Sequence, residues 1–126
     1  MAGDVTKLHV FKRAYALSLV LHRASHGFPK AEQYGGVADQ LRRSSKAVCA
    51  LLAEGSGRQL ASDAEVRRYV MMALGSADEA KLWCGYARDL GMAEAASAQA
   101  WQDECAEIAK MLQGLLKHLS SLTTGD

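Results

Sequence analysis

Proline occurs once in this chain of 126 residues, and aromatic residues make up only 6% of it. A sandwich or barrel of many short strands needs frequent turn residues and aromatic or β-branched strand positions, so this composition argues against that class. Long apolar runs are missing as well: each is broken by charge well before the roughly 20 residues of a membrane span. Met1 to Lys12 has no apolar h-region, so no secretory signal is expected. The cysteines are few and odd in number, Cys49, Cys84 and Cys105, and all three sit inside helical patterns. Reduced, buried thiols of a cytoplasmic protein are the expectation, not a disulfide framework. There is no His-Glu-x-x-His, no Glu-x-x-His pair and no Cys-x-x-Cys, so neither a metal site nor another cofactor is expected.

What is present is helical periodicity. The apolar share of 49% is ordinary for a globular protein, and the length suits one domain over residues 1–126. A first helix is expected over about 8–26, with Val10, Ala14, Leu17 and Leu21 on one face, Phe11 and Tyr15 widening it, and Gly27 as a left-handed cap before Pro29. A second is expected over about 35–55, edged by Val37, Leu41, Val48 and Leu52 and terminated at Gly55-Ser56-Gly57. Ser62-Asp63-Ala64-Glu65 is a capping box opening a third helix over 62–90. Its seam of Val66, Val70, Ala73, Ala77, Ala80, Cys84 and Ala87 is made of small residues. A bulkier stripe of Tyr69, Met72, Trp83, Tyr86 and Leu90 runs beside it, so this helix should touch more than one neighbour. Gly75 and Gly85 within it suggest close packing. The fourth helix, over about 95–122, carries Trp101, Ile108, Leu112, Leu115, Leu119 and Leu122 in a heptad pattern. Long helices with short connections give an all-α, antiparallel up-down four-helix bundle. Residues 1–6 and 123–126 look like loose tails.

Charge is nearly balanced overall, at +1, but not along the chain. Residues 1–68 hold eleven Lys/Arg against six acids, +5; residues 69–126 hold four against eight, −4. Arg42, Arg43 and Lys46 cluster on the second helix, Arg58 follows it, and Arg67 and Arg68 lie early on the third. Guanidinium forks suit phosphate, so these six are the candidate nucleic-acid contacts; solvated faces or intersubunit salt bridges are the plain alternative. Glu79 interrupts the Tyr69–Trp83 stripe, and if buried it needs a partner, for which an arginine of the second helix is the natural candidate. His22 and His26 share a helix face but read as a solvated helix end, complementing the macrodipole. Gly55-Ser56-Gly57 resembles a phosphate cradle but sits at the wrong dipole end for an anion. No catalytic residues emerge.

The runs Gln40-Leu41-Arg42-Arg43 and Ala53-Glu54-Gly55-Ser56-Gly57-Arg58 resemble the bacterial four-helix-bundle proteins encoded in ribosomal-RNA intervening sequences. The accessory variability protein of diversity-generating retroelements is similar. Leu8-x-Val10-Phe11, Phe28-Pro29 with Glu32 and Tyr34-Gly35, Arg68-Tyr69, Ala73-x-Gly75-Ser76 with Glu79, and the Ile108–Leu119 tail extend the likeness over nearly the whole chain. Where that family usually shows Ser-Ile-Pro-x-Asn-Ile, this chain has Ala47-Val48-Cys49-Ala50-Leu51-Leu52, so the proline kink and the asparagine are gone. The resemblance implies a ring-like homopentamer, and for the retroelement relatives a basic surface that meets nucleic acid and a reverse transcriptase. The reading is therefore a non-enzymatic homo-oligomer that binds RNA or other nucleic acid; the alternative is a protein-interaction scaffold without nucleic acid.

Overall fold

A computed structural model of the chain describes residues 5–58 and 62–123, with side chains at 5–57 and 62–119. Four α-helices lie among the described residues: α1 (His9–Ser25), α2 (Val37–Arg58), α3 (Asp63–Asp89) and α4 (Ala95–Thr123). Short 3-10 turns at Val5–Lys7 and Lys30–Glu32 precede α1 and α2. Each helix packs on its chain neighbour and α1 also meets α4, while among the described residues the backbones of the diagonal pairs stay apart. That is the antiparallel up-down four-helix bundle expected from the periodicity.

The core follows the stripes. Val10, Ala14, Leu17 and Leu21 of α1, Val37, Leu41, Val48 and Leu52 of α2, and all seven small residues of the α3 seam are buried. In α4, Ile108, Leu112 and Leu119 are buried while Trp101 and Leu115 are half-buried; the Leu122 side chain lies outside the described residues. Ser44 and Ser45, where the α2 stripe loses its apolar step, are buried too. Their hydroxyls donate to the carbonyls of Gln40 at 2.8 Å and Arg42 at 3.3 Å, which removes the cost of an unpaired buried hydroxyl. Where the four helices meet, among Ala14, Leu17, Ser45, Val48, Ala77, Ala80, Cys105 and Ile108, the void is about 10 Å³. That is the volume of about one water-sized probe and too little for any ligand.

Several boundaries differ from the sequence expectations. Gly27 is not a left-handed cap: α1 closes on His26, and positive φ is confined, among the described residues, to Gly35 at 75° and Gly91 at 69°. The second helix does not stop at Gly55-Ser56-Gly57 but runs on to Arg58. Gly55 is there for proximity: a Cβ on it would sit 2.7 Å from Tyr69 Cβ, so the glycine lets α3 cross closely. The run is neither a terminator nor a cradle. Gly85 also permits a close approach, to Gln102, whereas Gly75 meets nothing within 4 Å, so close packing inside the protomer does not explain it. Ser62 does cap α3, its hydroxyl accepting from Glu65 N at 3.1 Å. Tyr15, placed in the apolar stripe, is exposed on α1. The N-terminal tail is shorter than expected, since Val5 is buried within its 3-10 turn; residues 1–4 and 124–126 lie outside the described residues.

Candidate nucleic-acid interface

The six candidate cations do not form one patch. Antiparallel packing puts Arg42, Arg43 and Lys46 near the start of α2, beside the end of α1. Arg67 and Arg68 lie at the opposite end, where Gly55 meets Tyr69. Nine to thirteen residues of helix separate the two levels, about 14–20 Å at 1.5 Å per residue.

Each cation has its own surroundings. Arg42 turns inward: Nη1 donates to Ser25 Oγ at 2.9 Å and Gln33 Oε1 at 3.1 Å, and Nη2 to the Gln33 carbonyl at 2.8 Å. It thereby ties the α1–α2 turn together; among the described residues no carboxylate lies within ion-pair distance of it, although Asp39 is near enough to feel its charge. Arg43 points outward, its side chain 73% exposed, and pairs with Asp39 at 3.0 Å. That carboxyl is held below its ordinary value, first by the Gly35 N–H and then by Arg43. Arg68 pairs with Glu65 at 3.3 Å and lies over the Tyr69 ring at 4.9 Å from its centroid. Arg67 reaches Met71 Sδ at 3.9 Å. The Arg58 side chain lies outside the described residues. Glu79 is exposed and accepts from the Trp83 indole N–H at 3.1 Å, so its partner is not an arginine of α2.

The Lys46 end gathers residues that sequence reasoning had set aside. Lys46 Nζ lies 2.9 Å from His22 Nδ1, and His22 Nε2 lies 3.2 Å from His26 Nε2. An ammonium only donates, so His22 Nδ1 accepts and the ring carries its proton on Nε2, toward His26. Lys46 first, then burial, His26, Arg42 and Arg23 hold the His22 pKa below 6.5. Residues 5–31 contain Lys7, Lys12, Arg13, Arg23 and Lys30 and no acid at all. Arg13 is neutralised by Glu104 of α4, Nε donating at 2.9 Å. Among the described residues, no carboxylate lies within ion-pair distance of Arg23, Lys30 or Lys46. The signal for this cluster was in the sequence, since an antiparallel turn must bring the last cations of α1 beside the first of α2. Reading charges along the chain instead of across the turn misses it.

A family model described as the 23S rRNA-intervening sequence protein matches residues 6–114. The chain belongs to that family. A crystal structure titled as a protein with unknown function from the S23 ribosomal protein family of Bacteroides thetaiotaomicron superposes with a TM-score of 0.76. The two are 18% identical, and the match covers 86% of this chain and 98% of that one. At such identity the likeness carries the fold alone. None of the curated proteins matches the chain.

At Cys49 and Leu51, where the resemblance implied a proline and an asparagine, α2 is continuous helix. Burial pushes the Cys49 thiol up to about 11, and Cys84 is raised too, first by its hydrogen bond with Cys105. All three cysteines are free. With their thiols raised, Cys49 and Cys84 hold little thiolate and are poor nucleophiles. Among the described residues no three His, Cys, Asp or Glu side chains converge as a metal site requires, and no helix is long and apolar enough to cross a membrane. The outer faces are apolar in two places. On α1, Tyr15, Leu19 and Val20 are exposed; on α3, Met71, Met72, Leu82 and Tyr86 are, with the C-cap Leu90 at 62%.

Proposed function

We propose that this family member is a non-enzymatic, self-associating cytoplasmic protein that binds RNA or other nucleic acid through the basic α1–α2 end. One observation carries the reading: Arg23, Lys30 and Lys46 share that end with Arg42, His22 and His26, and among the described residues no carboxylate lies within ion-pair distance of any of them. A concentrated, uncompensated field of one sign draws a polyanion, and the released counterions supply the free energy. Contact with about five phosphates per protomer gives a slope of log affinity against log salt near −3.5 for single strands and −4.5 for duplex. Filter binding or fluorescence anisotropy across a salt series measures it. Arg23→Ala with Lys46→Ala should flatten the slope; affinity that ignores salt, or the double variant, removes the proposal.

Self-association is supported by the two exposed apolar faces. The α1 face is free of acids, while the α3 face carries Asp78, Glu79 and Asp89 among its apolar residues. The faces differ, so pairing them between copies is head-to-tail, an arrangement that gives a ring where the rotation closes and a filament where it does not. The pentamer implied by the family resemblance is such a ring. For the retroelement relatives the resemblance also implies a reverse transcriptase, which we carry as a proposed partner here.

A second reading has its own observation. Arg43 and Arg68, two of the six cations expected to meet nucleic acid, are already paired with Asp39 and Glu65. A scaffold that contacts only proteins would use them in that state, and it would retain random RNA no better than a neutral polymer.

A further inference from the structure

We infer that the cleft beside Tyr34 is a subsite for an unpaired nucleotide, with the Tyr34 ring stacking on the base while Lys30 and His26 face the phosphate. This rests on the nucleic-acid reading above and specifies it further: the ligand is single-stranded and the docking point is one turn of the chain.

Tyr34 is 92% exposed, the most exposed large apolar side chain among the described residues. Among the described residues it has no hydrogen bond, ring contact or cation over its face. A bare aromatic is ordinary on a floppy loop, but this loop is held from every side. Gln33 Nε2 donates to the carbonyls of Ser25 at 2.8 Å and Phe28 at 3.1 Å, and Arg42 donates back to both oxygens of Gln33. After Tyr34 the chain turns through Gly35 at φ 75°, a left-handed conformation that favours glycine, and Gly35 N donates to Asp39 at 2.8 Å. At Gly36 a Cβ would come within 2.7 Å of Glu32 Cα, and Glu32 Oε1 accepts from Val37 N at 2.8 Å. The ring is therefore presented from a fixed backbone, which reduces the ordering cost of stacking on it.

Beside the ring lies a cleft of about 380 Å³ lined by His26, Lys30, Gln33, Tyr34 and Arg42. Its volume is within the roughly 300–1,000 Å³ of small-molecule sites. No carboxylate lines it, and the nearest acids in sequence, Glu32 and Asp39, are turned to backbone N–H groups and to Arg43. An aromatic platform next to cations is the arrangement by which proteins hold single strands without reading sequence: the ring takes any base and the cations take the backbone. A duplex presents phosphates but keeps its base faces stacked, so it can use the cations and not the ring. A phosphopeptide or an anionic membrane would likewise need only the charges.

The test is anisotropy with the full chain, using a labelled oligouridylate and a duplex RNA of equal length. Circular dichroism of each variant reports the fold, which an exposed ring should not affect. Tyr34→Ala should weaken the single strand about tenfold or more and leave the duplex unchanged, while Tyr34→Phe keeps the stacking face and should stay near wild type. Lys30→Ala should reduce the single-strand salt slope by about 0.7, one phosphate contact. If both RNAs bind and Tyr34→Ala matches wild type on the single strand, nucleic acid docks elsewhere: the subsite is wrong and the broader reading stands. Equal loss on single strand and duplex also overturns the stacking role. Should wild type hold neither RNA at low salt, both readings fall together.

Discussion

Single side chains separate structural cations from available ones. Arg42 and Arg43 are adjacent in sequence and alike in charge, yet Arg42 spans Ser25 and Gln33 while Arg43 lies mostly in solvent beside Asp39. Arg42→Ala strands the wholly buried Ser25 hydroxyl side of the turn and the Gln33 oxygens, and should cost about 1–3 kcal/mol of stability by chemical denaturation. Arg43→Ala breaks only an exposed i,i+4 pair and should cost less than about 0.5 kcal/mol. Charge reversal at Arg42 therefore tests the fold and not the binding. His22 supplies a pH signature. Lys46 and Arg42 from α2, with His26 and Arg23 from its own helix, hold its folded pKa below 6.5. The unfolded chain then takes up the proton first, so this stability term is present above pH 6.5 and is lost as pH falls from there toward the lower folded pKa. Denaturant midpoints measured from neutral pH downward should decline there, and His22→Gln should decline less.

At the scale of the helices, close contact decides where elements stop. Gly55 and Gly75 both lie inside continuous helices, and nothing local distinguishes them. Gly55→Ala places a Cβ against Tyr69 Cβ, and neither atom is the end of a flexible chain. It should destabilise by about 1–3 kcal/mol, with the Tyr69–Glu54 hydrogen bond of 3.1 Å disturbed. Thermal unfolding beside wild type would show it, and an unchanged midpoint would contradict the packing. Helix number, approximate spans and the inward stripes were legible in the sequence because burial of a 3.6-residue periodic face leaves a repeating apolar record. Val10 to Leu21 and Val66 to Ala87 are such records. The end of α2 was not, because glycine's local preference for termination lost to a tertiary crossing with α3. Glu79 needed an arginine of α2 only if buried; it faces outward instead and accepts from the Trp83 indole N–H.

For the whole molecule the open question is what covers α1 and α3. If copies assemble head-to-tail through these faces, light scattering should give a multiple of 13.6 kDa, near five for a pentameric ring. Leu82→Glu with Leu90→Glu should return it toward one protomer without unfolding it, since both side chains are exposed in the protomer. A wild-type mass of one protomer would remove assembly from the proposal. The candidate site was half legible. Arg42, Arg43 and Lys46 could be picked out from their charge, but their companions His22, Arg23, His26, Lys30 and Tyr34 come from the preceding helix and the turn. By itself the sequence determined the all-helical class, the inward faces and the excess of positive charge in the first half, because each is written in composition and spacing. Only the tertiary structure decided that the cations split between two ends, that Arg42 is committed to the turn, and that Tyr34 stands bare. Those outcomes depend on which helix ends the antiparallel packing brings together, and no local pattern encodes that.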